Sequence, residues 1–172
     1  MKRLLLLRHA KAVPATDPLV DISRPLAERG ERDALRIGER LREQPLRPTL
    51  ILASSATRAL RTAQLVASAI DYPQWSIALD RRLYLAEPAV IVEIIAAQDS
   101  AVETLLVVGH NPGLTDLVHR LLPDFDVDDM PTGAVVGVDY AEAVAWARID
   151  GATATLSYYD FPKNSRAPVT GR

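Results

Sequence analysis

The sequence predicts an α/β fold: a three-layer α/β/α sandwich with a mostly parallel central sheet. Three observations carry this reading. Short apolar runs recur at Arg3–Arg8, Thr49–Ala53 and Thr104–Val108, and continuous apolar runs of this length mark strands buried on both faces. Segments with helical spacing of apolar residues separate them, and strands alternating with helices build parallel sheets through crossover connections. The chain has 172 residues, 48% hydrophobic and 24% charged, which suits one domain large enough to bury a core without disulfides or a structural metal.

Taken in order, Arg3–Arg8 is the first buried strand. Pro14, Pro18 and Pro25 then mark an irregular stretch. Ala27–Arg42 is rich in helix formers, with Ala34, Ile37, Gly38 and Leu41 on one stripe. Thr49–Ala53 is the second strand, and Ser54 or Ser55 offers an N-cap to the helix that follows. That helix places Ala56, Ala59, Leu60, Ala63, Val66, Ala67 and Ile70 at the spacing of a single buried face. Ser76–Leu79 reads as a short edge strand and Pro88–Gln98 as a helix with proline in its first turn. Thr104–Val108 is the third strong strand. Pro112 opens another helix, with Leu114, Leu117, Val118 and Leu121 apolar. Ala134–Tyr140 and Thr153–Tyr159 are late strands, and the segment 141–151 between them fits a short helix or a loop. The expected organisation is a single catalytic domain over 1–162 and a polar, loosely held C-terminal tail over 163–172.

Composition removes several function classes. There is no cysteine, which excludes disulfides, thiolate metal sites and cysteine nucleophiles. Histidine chemistry must come from His9, His110 and His119. A net charge of −2 gives no reason to expect nucleic acid or an anionic membrane as partner. The opening MKRLLLLRHAKA has too short an apolar run for a signal-peptide core or a membrane span, so a cytoplasmic location is expected. Arginine outnumbers lysine 17 to 3, as a base-composition bias would produce, but arginine is also the residue suited to bidentate phosphate binding.

In parallel sheets ligands sit beyond the carboxyl ends of the strands. The first strand ends in Arg8-His9-Ala10-Lys11, the second in Ser54-Ser55-Ala56-Thr57-Arg58, the third in Gly109-His110-Asn111-Pro112-Gly113. Read singly, His9 is a core histidine, Arg58 a solvated helix residue and His110 a helix cap. Read together, they deliver two imidazoles and two guanidinium groups to one rim, beside two helix N-termini, which is an anion site. A cationic neighbourhood keeps an imidazole neutral, and a neutral imidazole is a nucleophile. Attack of histidine on phosphorus, with arginines neutralising the phosphoryl oxygens, is a coherent reaction that needs no metal or other cofactor.

The same residues resemble a known pattern. Leu7-Arg8-His9-Ala10 is similar to the R-H-G/A signature of the histidine phosphatase (phosphoglycerate mutase-like) superfamily. Ser54 to Ala63 resembles its S-x-x-x-R-A-x-x-T-A block, Val108 to Gly113 its second-histidine block, and Asp21-x-x-Arg24-Pro25-Leu26-x-Glu28-Arg29-Gly30 the stretch after its first motif. The likeness runs from Leu4 to about Tyr159. It implies a phosphoglycerate mutase-like sandwich in which His9 carries the phosphoryl group, Arg8 and Arg58 clamp it and His110 donates to a phosphate oxygen. The short chain with D-x-x-R-P-L and G-H-N-P-G looks most like the small bacterial, SixA-type branch, whose members remove phosphate from histidine on signalling proteins.

Larger members use a carboxylic acid to protonate the leaving group, and Glu87 is the positional match. It fits equally a carboxylate at a helix N-terminus. Imidazole leaves more readily than an alkoxide, so a phosphohistidine phosphatase can work with a weak acid or none, whereas a phosphatase of sugar or nucleotide phosphates cannot. The expected partner is therefore a phosphorylated protein. A small phosphomonoester with Glu87 as donor is the alternative, and a non-catalytic phosphate or phosphoprotein binding module a further one. Arg24 either supports the phosphate site or pairs with Asp21. His119 is expected at the surface or behind the site, Trp75 and Trp146 in packing, and Asp124, Asp126, Asp128 and Asp129 in a solvated loop rather than around a hard cation. Lys11 stands near the pocket mouth, where it would attract an anion, and Thr132-Gly133 is a further segment able to approach the site.

Overall fold

The computed structural model describes residues 1–16, 18–140, 145–149, 151 and 153–171. Among the described residues seven strands form one sheet: β1 Lys2–Arg8, β2 Leu50–Ala53, β3 Ala78–Leu79, β4 Thr104–Gly109, β5 Val135–Tyr140, β6 Thr155–Asp160 and β7 Val169–Thr170. Their order is β3-β2-β4-β1-β5-β6-β7. The α-helices among the described residues are α1 Glu28–Arg42, α2 Thr57–Ala69, α3 Pro88–Ala96 and α4 Gly113–Leu121.

The four leucines of β1 show why the sheet is central. Leu4 and Leu6 join the core formed with Ile91, Ile94 and Ile95 of α3 and Leu114, Leu117, Val118 and Leu121 of α4. Leu5 and Leu7 face the other way, onto Ile37 and Leu41 of α1 and Ala59, Ala63 and Val66 of α2. All four are fully buried. Period-2 alternation therefore feeds two separate cores, each leucine contributing about 2 kcal/mol. The α/β/α layering expected from the sequence is the architecture found.

The sheet is less parallel than expected. Strands β3, β2, β4 and β1 pair in parallel, but β5, β6 and β7 add antiparallel to β1 and to one another. The direction changes because the segment after α4 returns the chain to the carboxyl end of β1. There the Gly133 N–H donates to the carbonyls of both Arg8 and His9, at 3.1 Å each. Gly133 has φ +77°, a conformation few other residues adopt at low cost.

Other expectations needed local adjustment. The C-terminal segment over 163–171 is not a loose tail. Val169–Thr170 pairs with Tyr158 and Tyr159, and Arg40 donates to the Asn164 carbonyl at 3.1 Å. Trp75 is 89% exposed rather than packed, while Trp146 is buried and donates its indole N–H to the Val102 carbonyl. Within the ambiguous segment 141–151, residues 146–148 form a 3-10 turn, and 141–144 and 150 lie outside the described residues. Helix α2 has Ala56 at its N-cap with no side-chain cap, so Ser54 is released for another role. Among the described residues no helix is long and apolar enough to cross a membrane.

Candidate active site

Three neighbouring parallel strands, β2, β4 and β1, end at one rim. A cleft of about 380 Å³ opens there, lined by Arg8, His9, Lys11, Ala12, Asp21, Arg24, Arg58, Leu85, His110, Asn111 and Thr132. The strand ends thus bring together Arg8, His9, Arg58 and His110, and the D-x-x-R-P-L block adds Arg24. Glu87 is not among the lining residues. It is exposed at the N-cap of α3 with no side-chain capping bond.

His9 is held by its backbone and its ring. Its backbone N–H donates to the Gly109 carbonyl across the β1–β4 seam. Its Nδ1 lies 2.8 Å from the Ala10 carbonyl, and a carbonyl only accepts, so Nδ1 carries the proton. The lone pair is therefore on Nε2, which accepts from Arg58 Nε at 3.3 Å. Burial first, and the charges of Arg58, Arg8 and Arg24 after it, push the His9 pKa down to about 4, against the opposing Ala10 bond. The imidazole is neutral at physiological pH, with its nucleophilic nitrogen facing a guanidinium.

His110 stands beside it, the two ring centroids 5.2 Å apart. Its Nε2 is 2.8 Å from Ser54 Oγ. That oxygen already accepts the Ala56 N–H, so its own hydrogen is free to donate to Nε2. With the Ser54 hydroxyl as donor, the His110 proton lies on Nδ1, a buried atom with no partner among the described residues. Burial, and the nearby His9 and Arg58, lower the His110 pKa to about 3. Arg8 Nε and Asn111 Oδ1 are likewise buried and unpartnered. Unpaired buried donors at a cleft wall are costly unless a ligand takes them up. Nδ1 of His110 and Nε of Arg8 are donors suited to phosphate oxygens.

Sequence reasoning missed the groups that hold these side chains. Arg24 both lines the cleft and pairs with Asp21, at 3.0 and 3.2 Å. Asp21 also takes Arg58 Nη2 on its carboxylate at 3.1 Å and Arg58 Nη1 on its carbonyl at 2.8 Å. The Tyr84 hydroxyl donates to the same carboxylate. That bond, ahead of those from Arg24 and Arg58, holds the Asp21 pKa down to about 2. Tyr84 also sets its ring edge-on to His110 at 5.5 Å and lies under the Arg58 guanidinium. Asp129, expected in a solvated loop, is exposed as expected and also reaches Arg8 Nη1 at 3.4 Å, Asn111 Nδ2 at 2.6 Å and Thr115 Oγ1 at 3.2 Å. Thr62 ties the segment after β1 to α2, accepting the Ala10 N–H and donating to the Arg58 carbonyl.

The D-x-x-R register was a usable signal for Asp21; nothing in the sequence pointed to Tyr84, whose position depends on the loop between β3 and α3. His119 is exposed and hydrogen-bonds the Val127 carbonyl, away from the cleft. Among the described residues no group of three or more histidine, aspartate or glutamate side chains is arranged to hold a metal ion.

Comparisons with known proteins agree with this geometry. Residues 4–84 match the family model described as histidine phosphatase superfamily (branch 1). An uncharacterised protein of Mycobacterium tuberculosis (strain H37Rv) is 42% identical over 106 residues, covering 62% of this chain and 63% of that protein. The match thus spans less than two thirds of the relative's length. A structure from Nakamurella, provisionally named phosphohistidine phosphatase SixA, superposes with a TM-score of 0.77 at 25% identity, covering 95% of this chain and 97% of that one. Its counterpart from Agrobacterium tumefaciens, also provisionally named, gives 0.70 at 29% identity, covering 92% and 96%.

Proposed function

The chain belongs to the histidine phosphatase superfamily, and from that premise we propose that it is a phosphatase that forms a covalent phosphohistidine at His9 and acts on phosphohistidine carried by a protein, in a cytoplasmic setting. The observation that carries the reading is the His9 ring. Its Nδ1 proton is tied to a carbonyl and its Nε2 lone pair is turned to a cleft with unpartnered phosphate donors.

In the proposed reaction the substrate phosphoryl group enters between Arg8, Arg58 and His110. Its oxygens take the Nε of Arg8 and the Nδ1 proton of His110, and compete with the His9 ring for Arg58. The freed Nε2 lone pair attacks phosphorus as the bond to the leaving nitrogen breaks. That nitrogen departs as neutral imidazole, because the other ring nitrogen of the substrate carries a proton. Water then attacks the phosphorus on His9; one of its protons passes to the phosphate formed, and the Nε2 lone pair returns. The guanidinium groups and the imidazole N–H spread the charge on the phosphoryl oxygens throughout.

The exposed position of Glu87, outside the cleft lining, supports phosphohistidine over alkyl phosphates. An imidazole with a pKa of about 6.5 leaves without a strong acid, and an alkoxide does not. A small phosphomonoester with Glu87 as donor requires that side chain to reach the cleft on binding. The test is a side-by-side assay on a phosphohistidine protein, phosphoramidate and a panel of sugar phosphates, with a quench that preserves phosphoramidate bonds. The expected result is a labelled phosphoryl group on His9 and preference for the nitrogen-linked substrates. Sugar phosphates turned over best, and lost in Glu87→Gln, would reverse the substrate assignment. No label and no turnover would leave a binding module.

A further inference from the structure

A second cleft adjoins the catalytic one. It has about 390 Å³ and is lined by Lys11, Arg29, Pro131, Thr132, Phe161, Pro162 and Lys163. Lys11 and Thr132 line both clefts, so the two lie side by side. Among the described residues the lining holds three cations and no carboxylate. Of the nearby acids, Asp33 pairs with Arg29 along α1 at 3.4 Å and offsets part of its charge, and Asp129 faces Arg8, Asn111 and Thr115. Lys11 and Lys163 are exposed and have no ion-pair partner among the described residues.

The backbone fixes this arrangement. Helix α1 begins against the segment after β1, where a Cβ on Gly30 would stand 2.0 Å from the Lys11 carbonyl. This close approach sets Arg29 beside Lys11. Lys163 is brought in from the far side by the segment after β6, which Arg40 anchors through the Phe161 and Asn164 carbonyls at 3.1 Å each. Phe161, Pro131 and Pro162 give the cleft an apolar wall. Such a wall lowers the local dielectric and strengthens the attraction of the three cations for an anion.

We infer that this cleft is a second anion subsite, which binds a negatively charged group, carboxylate or phosphate, carried by the substrate beyond the phosphoryl group that is removed. The inference rests on the catalytic reading above, since it assigns the substrate a second charge. Its test is equilibrium binding, which does not depend on turnover. Titration calorimetry compares α,ω-alkane bisphosphonates of one to six carbons with the matching alkyl monophosphonates. A parallel arm compares peptides bearing a phosphonate-triazole analogue of phosphohistidine with acidic or with amide flanks.

At one spacing the doubly anionic probe is expected to bind about 10-fold more tightly than its partner, a gain that shrinks with salt. Lys163 lies outside the catalytic cleft. Lys163→Glu abolishes the gain and leaves monophosphonate affinity within about twofold, and Arg29→Gln halves the gain or more; unchanged melting curves establish that both variants fold. A gain confined to the bisphosphonates identifies a small substrate, and one confined to the acidic peptides a protein. Equal affinity of singly and doubly charged probes in both arms, or a gain that persists in Lys163→Glu, overturns the subsite. Failure to turn over phosphoramidate with the binding gain intact would count against the catalytic reading alone.

Discussion

The two halves of the sheet bury charge in opposite ways. In the antiparallel half the Asp160 carboxylate is fully buried and saturated by the protein. It accepts from Arg40 at 3.1 Å, the Asn164 side chain at 2.9 Å, the Phe161 N–H at 2.9 Å and the Tyr158 hydroxyl at 3.4 Å. In the parallel half Arg58, His9 and His110 are 2%, 8% and 2% exposed, yet Arg8 Nε and His110 Nδ1 beside them have no partner. A buried charge whose bonds are all made inside the chain holds the structure. A buried cluster with donors left over is offset in part by Asp21, which pairs with Arg58, and it keeps the rest for a ligand.

This contrast is tested first at His9. His9→Ala is expected to lower turnover by about 10⁴-fold or more while leaving the melting temperature within a few degrees, because the lost group acts on substrate. Steady-state assay beside calorimetry measures both. Near-normal turnover would end the covalent mechanism.

Asp160→Ala should show the opposite pattern. It leaves the Arg40 charge without its carboxylate and should destabilise the fold by about 3 kcal/mol. Arg40 is 28% exposed, so solvent relieves part of the loss. Denaturant unfolding reads the loss; the folded fraction should keep its kcat. A drop in kcat without loss of stability would erase the distinction between the halves.

Tyr84→Phe sits between these extremes. It removes the hydroxyl from Asp21 but keeps the ring against His110, and a single such bond contributes about 1 kcal/mol. A fall in kcat/KM of about 5- to 10-fold is expected, with little change in stability. A shift in phosphate affinity without any change in kcat would show that Tyr84 only binds.

The effect of pH sharpens the comparison further. His9 and His110 titrate near 4 and 3 in the folded chain, whereas unfolded imidazoles titrate near 6.5. Between these values the unfolded chain takes up protons that the folded one does not, so stability present above pH 6.5 declines as pH falls toward 4. Single-turnover phosphorylation of His9 by phosphoramidate, which has no imidazole of its own to titrate, should nonetheless show no midpoint near 6.5, since the nucleophile stays neutral down to about pH 5. A midpoint near 6.5 in that rate would show that burial does not control His9. The smallest effect is expected from Glu87→Gln: less than about twofold on phosphoramidate, in keeping with its place outside the cleft.

Much of this molecule was determined by the sequence alone. The leucines of β1, the TLILA and TLLVV runs and the helical stripes between them specify a layered α/β/α fold, because period-2 and period-3.6 patterns can each bury their apolar faces in few ways. Parallel strands expose their carboxyl ends at one rim, so Arg8-His9, Arg58 and His110 could be placed together before any coordinates. Tertiary structure decided the rest. The antiparallel turn of the sheet depends on where Gly133 meets the Arg8 and His9 carbonyls. Tyr84 reaches Asp21 across 63 positions of chain, and Asp129 reaches Arg8 across 121. Ser54 serves His110 as well as the Ala56 N–H at the start of α2. Such partners are chosen by distance in space between loops of no fixed period, and only the folded chain sets that distance.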